Sequence, residues 1–160
     1  MPSKNTLIDL YIASNFEDSS VRCQFKKSVT AYNKANKQDP LKMCDVFKRD
    51  YPRLYNTIIT TLVNNSTANA DDIIENNFTK LLKNLSTTVV GSSGHFENIL
   101  RQYVAAAYPP GTILVNRISN LKYIVKHNAS YSYLYSYAVC EDYPLIGSYL
   151  YDTLIQFKEF

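Results

Sequence analysis

At Pro109-Pro110 the spacing of apolar residues changes, and that change constrains the fold more than any other feature of the chain. Before it, apolar residues return every three or four positions. Phe96, Ile99, Leu100, Tyr103, Val104 and Ala107 do so, the period of a helix with one buried side. After it, TILVNRI (112–118), LKYIVK (121–126) and YSYLYSYAV (131–139) read as strands, and the last alternates residue by residue. HNAS, 127–130, supplies a hairpin turn between the last two. Helical first and strand-forming later, the chain is read as α+β. The expected architecture is one domain over 1–160: a helical part over about 1–107, packed on a small antiparallel sheet of about three strands. Sheet and closing helix fall in about 111–160, the helix predicted over Leu145 to Phe157 with Leu150, Leu154 and Phe157 inward.

The earlier half is a series of helices marked by caps and prolines. One is predicted over Asn5 to Ala13. A second starts at an Asp18 or Ser19 cap and runs to about Lys37, with Val21, Phe25, Val29 and Tyr32 on one stripe. Asp39-Pro40 ends it, because the residue before proline disfavours helix. Leu41, Cys44 and Phe47 predict a third. Pro52 opens a fourth that reaches Val63. The polar stretch NNSTANA, 64–70, is a loop, and a fifth helix from Asp71 carries Ile74, Phe78, Leu81 and Leu85. STTVV, 86–90, fits either a continued helix or a short strand.

Apolar content of 46% with 19% charge belongs to a folded chain rather than a disordered one. No apolar run approaches the roughly 20 residues of a membrane span, so no membrane partner is expected. The first residues lack the apolar block and cleavage site of a secretory signal. Cys23, Cys44 and Cys140 are odd in number and lack metal-ligand spacing. They read as reduced, packed thiols of an intracellular protein, cytoplasmic or nuclear. Abundant Asn and Tyr, four glycines and no tryptophan give a composition in keeping with a viral genome.

Three segments are candidates for function. Residues 22–53 hold nine basic residues against three acidic ones, a local charge of +6. Arg22, Lys26, Lys27, Lys34, Lys37, Lys48, Arg49 and Arg53 are the expected phosphate contacts, since cations that neutralise phosphates release counterions. The bland alternative is a solvated lysine face. Tyr131, Tyr133, Tyr135 and Tyr137 share one side of their strand, while Ser132, Leu134, Ser136 and Ala138 share the other. The tyrosine side suits a protein interface or the stacking of unpaired bases. Stacking needs cations on the same face, and whether Lys122 and Lys126 reach it depends on the hairpin's register. Gly91, Ser92, Ser93 and Gly94 lead into a helix and form a possible phosphate loop. Without the spacing of the dinucleotide or ATP-binding motifs, a simple turn capped by Ser93 is the alternative.

No catalytic grouping stands out. His95 and His127 are the only histidines, neither sits at metal-ligand spacing, and Cys140-Glu141-Asp142 has no assignable histidine. No cofactor or metal is expected, and the balance leans away from an enzyme.

FTKLLKNLSTTVVGSSG, then a helix, PPGTILV and LKYIVKHNA resemble the first part of a macro domain, an ADP-ribose-binding α/β module. The likeness covers about half of the chain and lacks that family's Asn-Ala-Ala-Asn segment and glycine-rich loop. It implies nucleotide or ADP-ribose binding at Ser92, Ser93 and Gly94. Chain size and the helical first half also resemble rod-shaped virus coat proteins, with no motif in common. The expected function is an intracellular, non-enzymatic binding protein of viral nucleoprotein or capsid kind. It contacts nucleic acid through 22–53 and self-associates through the tyrosines. The rival is an interaction module acting on host proteins, with its lysines merely solvated.

Overall fold

The computed structural model describes residues 2–63, 71, 74–75, 94–146 and 150–160; the side chains of 61–63, 94–100 and 151 lie outside that description. Six helices and a five-stranded antiparallel sheet are present among these residues, so the chain is α+β. By contact it divides into two compact units interleaved along the sequence, Met1–Arg49 with Asp71–Val90, and Asp50–Ala70 with Gly91–Phe160.

The first unit is helical. Helix α1 (Lys4–Ser14) begins where the Ser3 hydroxyl accepts from the Thr6 amide. Helix α2 (Ser19–Ala35) begins at Asp18, whose carboxylate accepts from the Ser20 amide. Both caps satisfy donors that the first helical turn cannot pair internally. The Tyr11 and Phe25 rings meet at 5.7 Å between centroids, and Phe25 is the one fully buried residue of α2. Val21, Val29 and Tyr32, on the same stripe, are only half-buried. Helix α3 (Met43–Asp50) turns Met43, Cys44, Val46 and Phe47 inward. Asp71, Ile74 and Glu75 are helical, and Ile74 is buried. The rest of the expected fifth helix, the 86–90 segment and residues 91–93 of the phosphate loop lie outside the described residues.

The second unit holds helix α4 (Pro52–Val63), helix α5 (Gly94–Ala107), a short helix α6 (Leu150–Leu154) and the whole sheet. Helix α4 starts at Pro52 as expected, because a residue without an amide proton costs nothing where the helix has no acceptor to offer. The strands are β1 (Ile113–Asn116), β2 (Lys122–His127), β3 (Ser132–Ser136), β4 (Glu141–Pro144) and β5 (Phe157–Glu159). Their order in the sheet is β4-β3-β2-β1-β5, every pairing antiparallel. Five strands thus replace the expected three. Among the described residues there is no parallel strand pair of the kind an α/β module requires.

The two added strands have a common physical reason for being missed. Strand β4, EDYP, is short, acidic and ends in proline, which are edge-strand devices rather than strand signals. Strand β5 is three residues long and begins at Phe157, the last residue of the expected closing helix. Leu150, Leu154 and Phe157 are all buried, as their four-three spacing predicted. The element changes beneath them, from helix at Leu154 to strand at Phe157. Spacing fixed which residues turn inward and not how the backbone carries them.

The sheet curls strongly. Four spacings of about 4.8 Å would hold the edges of a flat five-stranded sheet roughly 19 Å apart. Yet Tyr143 of one edge strand and Phe157 of the other bring their ring centroids to 5.5 Å, with Tyr123 of β2 at 4.9 Å from Phe157. Leu114, Tyr123, Val125, Leu134 and Phe157 line this concave, buried side.

Two polar knots close the second unit. The Tyr51 hydroxyl donates towards the carbonyls of Leu154 (3.1 Å) and Phe157 (2.9 Å). The Arg117 guanidinium donates to Asp50 (2.8 Å), to the Tyr51 oxygen (3.0 Å) and to the Ile155 carbonyl (2.8 Å). Burial works against the Arg117 charge, and Tyr51 and Asp50 outweigh it. In the second knot the Glu159 carboxylate accepts from the amides of Arg53 (2.8 Å) and Leu54 (3.2 Å), which open α4, and from the Tyr108 hydroxyl (2.6 Å). A strand residue thus caps a helix some hundred positions away in sequence, pairing its negative charge with the helix's positive end.

The Asp50 and Arg117 side chains are 8% and 10% exposed, so Arg117→Met should cost about 3–5 kcal/mol in urea unfolding, the range for breaking a buried pair. Adding Asp50→Asn should cost less than the sum of the two single changes.

A second outcome concerns alkali. Burial pushes the Tyr51 phenol up to about 12, against the pull of Arg117; burial and then Glu159 raise Tyr108 further. Unfolded phenols ionise near pH 10. Above that pH the unfolded chain sheds protons that the folded chain keeps, so unfolding free energy falls as pH rises. This stability is complete below about pH 10 and is lost as pH climbs towards the folded values. The thermal midpoint should drop between about pH 10 and 12, and a Tyr108→Phe variant should drop less.

Candidate functional site

The face of the sheet opposite the buried rings is built by register. Ile124 faces Tyr135, and Lys126 faces Tyr133. Ile113 faces Ile124, and Val115 lies between Lys122 and Lys158. Side chains of directly opposed residues project on the same side. This face therefore carries Tyr133 and Tyr135 beside Lys122, Ile124 and Lys126, with Lys158 across β1. Asp142 of β4, opposite Tyr135, adds one carboxylate. Because the sheet curls towards its buried side, this face is convex.

The lysines sit on the rings. The Lys126 ammonium lies 4.7 Å from the Tyr135 ring centroid and 4.5 Å from that of Tyr137. The Lys122 ammonium lies 4.1 Å from the centroid of Phe160. A cation over a ring face is attracted by the ring's quadrupole, by about 0.5–1 kcal/mol where water has access. The Tyr137 hydroxyl beside it also raises the Lys126 pKa above the usual lysine value. The tyrosines stand in two edge-to-face pairs, Tyr131 with Tyr133 at 6.1 Å and 62° and Tyr135 with Tyr137 at 4.9 Å and 83°. Tyr131, Tyr133 and Tyr135 are half-buried, while Tyr137 is 67% and Phe160 75% exposed. Asn128 pins the hairpin tip, its side-chain oxygen accepting from the amides of Ser130 and Tyr131 at 2.9 Å each.

The basic stretch is distributed differently. Lys48 meets Asp71 at 3.4 Å, and Arg49 meets Asp9 at 2.8 Å while donating to the Asn5 carbonyl. Arg22 donates to the Ser14 carbonyl at 3.2 Å, so its side chain is anchored within the first unit. Arg53 belongs to the second unit, where its amide serves the Glu159 cap. Lys26 is half-buried. Lys27, Lys34 and Lys37 are exposed. Lys27 and Lys34 lie about 20° apart around α2 and about 80–140° from Arg22 and Lys26, by 100° per residue. The helix therefore presents two cationic stripes. Lys4, outside the expected set, takes both Asp39 and Asp45.

Gly94 is the first residue of α5. Among the described residues, no group of three or more His, Cys, Asp or Glu could hold a metal ion, and no helix is long and apolar enough to cross a membrane. The expectation of three packed thiols is corrected: Cys44 alone is buried, and Cys23 and Cys140 are exposed. Cys23 lies on the outer side of α2, and Cys140 sits in the β3–β4 turn at a positive φ of 52°. Tyr135, next to Cys140, has its phenol raised by that neighbour.

No protein-family model, curated protein or solved structure matches this chain.

The sequence missed Lys158 and Phe160 as members of this face, since both follow from β5. Thiol chemistry reads the accessibility directly. Burial and the carboxylates of Asp71, Asp45 and Glu75 push the Cys44 thiol up to about 12. A maleimide at pH near 8 should modify Cys23 and Cys140 in the folded protein and Cys44 only after unfolding, as resolved by peptide mass.

Proposed function

We propose that the protein binds single-stranded nucleic acid without chemistry of its own, laying it across the convex face of the sheet. One observation carries this reading: the register places Lys122 and Lys126 among the tyrosines, with the Lys126 ammonium 4.7 and 4.5 Å from two ring centroids. Aromatic rings accept any base on their faces, and interleaved cations meet the phosphates between bases. A convex surface has no depth to enclose a small ligand and suits a polymer that lies across it.

Fluorescence anisotropy with labelled single strands, titrated at several salt concentrations, tests the proposal. Binding should weaken steeply with salt, and each of Lys122→Ala, Lys126→Ala and Lys158→Ala should reduce the slope of log K by about 0.7, the value per phosphate contact on single strands. Tyr137→Ala, at a side chain 67% exposed, should weaken binding by about 1–3 kcal/mol without changing the melting temperature. Absence of binding at low salt would defeat the reading. So would indifference to the three lysine changes.

A second reading has its own support. Tyr137, Val139, Ile113 and Phe160 are large apolar side chains left 37–75% exposed in the second unit, as expected of a self-association surface. Sedimentation equilibrium of the wild type and Tyr137→Asp separates the two. A dimer dissolved by the aspartate places the partner there.

A further inference from the structure

At the tip of the β2–β3 hairpin, on the side of the sheet that carries His127 and Ser132, lies a cavity of about 270 Å³. Its walls come from α5 and the residue after it on one side, and from the hairpin and residues 145–146 on the other. Val104, Leu145, Ile146 and the Tyr131 ring make it mainly apolar. Arg101 and His127 bring the nitrogen groups, Ser130 and Ser132 add hydroxyls, and no carboxylate lines it. Arg101 is exposed and makes no ion pair among the described residues. His127 Nδ1 lies 3.5 Å from Ser132 Oγ, so these two groups sit together at the hairpin end.

We infer that this cavity holds a phosphorylated nucleoside, with the base against Tyr131 and the aliphatic wall, and the phosphate on Arg101 and His127. The size decides between ligand classes. Pockets for drug-sized molecules run roughly 300–1,000 Å³, so this one takes a single ring system and not a dinucleotide. The charge decides the sign: Arg101 is a permanent cation and no acid lines the cavity, so the lining favours an anion, and the guanidinium fork matches two phosphate oxygens at once. Tyr131 joins the cavity to the proposed platform. It is both a wall here and the first ring of the tyrosine row, edge-on to Tyr133 at 6.1 Å.

The chemistry has two sources, the phosphorylated end of a strand or a free mononucleotide. The strand-end form rests on the platform reading above; the mononucleotide form does not. The full chain is titrated with oligonucleotides that carry a 5′-phosphate, a 3′-phosphate or hydroxyls at both ends. One phosphorylated form should bind about tenfold tighter than the hydroxyl form, the gain expected from a charge-assisted hydrogen bond. Arg101→Gln should remove that difference and leave hydroxyl-ended affinity within about twofold, since the variant loses only the phosphate contact. Ala105→Trp, which fills the cavity from its exposed wall, should do the same. In parallel, adenosine 5′-monophosphate should shift the amide resonances of Arg101, His127 and Tyr131 in the wild type and not in Ala105→Trp. Equal affinity for all three ends, together with no shifts from the mononucleotide, overturns the inference and leaves the platform untouched. If no oligonucleotide binds at low salt, the platform reading falls, and the mononucleotide titration alone decides the cavity: shifts confined to those residues uphold it, and none overturns it.

Discussion

The carboxylate of Glu159 at the head of α4 is the contact on which the second unit depends. A three-residue strand offers only a few ladder hydrogen bonds, too few to hold an edge against water. Here β5 is tied from both sides, by pairing with β1 and by a cap that meets the Arg53 and Leu54 amides and the Tyr108 hydroxyl. Tyr51 and Arg117 extend the tie to the backbone at Leu154, Ile155 and Phe157. With β5 in place, β1 has a neighbour on each side, Phe157 closes the buried face, and Lys158 and Phe160 reach the opposite one. Without it the sheet would lose both its curl and a third of its surface lysines on that face.

How far the sequence revealed this differs element by element. Asp18 and Pro52 announce helix starts because each acts on its immediate neighbours, and local chemistry is legible locally. The HNAS turn is legible for the same reason: Asn128 binds amides two and three residues on. Strand β5 could not be read, because what holds it lies across the fold at Arg53, Leu54 and Tyr108. The face of Lys122 and Lys126 could not be read either. Register sets it, and a slip of one residue would have moved both lysines to the buried side.

The basic stretch shows the complementary failure. A local charge of +6 counts residues along the chain, while electrostatic potential depends on distance in space. Asp9 and Asp71, both outside the stretch, meet Arg49 and Lys48. Lys4, also outside, draws Asp39 and Asp45, acids that the count had set against the cations. Arg22 spends its side chain on a backbone carbonyl. What persists from the linear pattern is the exposed trio Lys27, Lys34 and Lys37, which no simple tally would have singled out.

On the proposed reading, the lysine–tyrosine contacts bear on how such a face would bind. With no strand present, Lys126 covers parts of two rings. A base arriving on Tyr135 or Tyr137 must move that ammonium aside, losing about 0.5–1 kcal/mol of cation–π attraction. Stacking returns about 1–3 kcal/mol per base. The displaced ammonium also remains beside the strand, where a phosphate replaces the ring as its partner and a counterion is released. The gains together outweigh the loss. It needs no backbone movement, because Tyr133 and Tyr135 are fixed by their own ladder and only a flexible lysine stem has to turn.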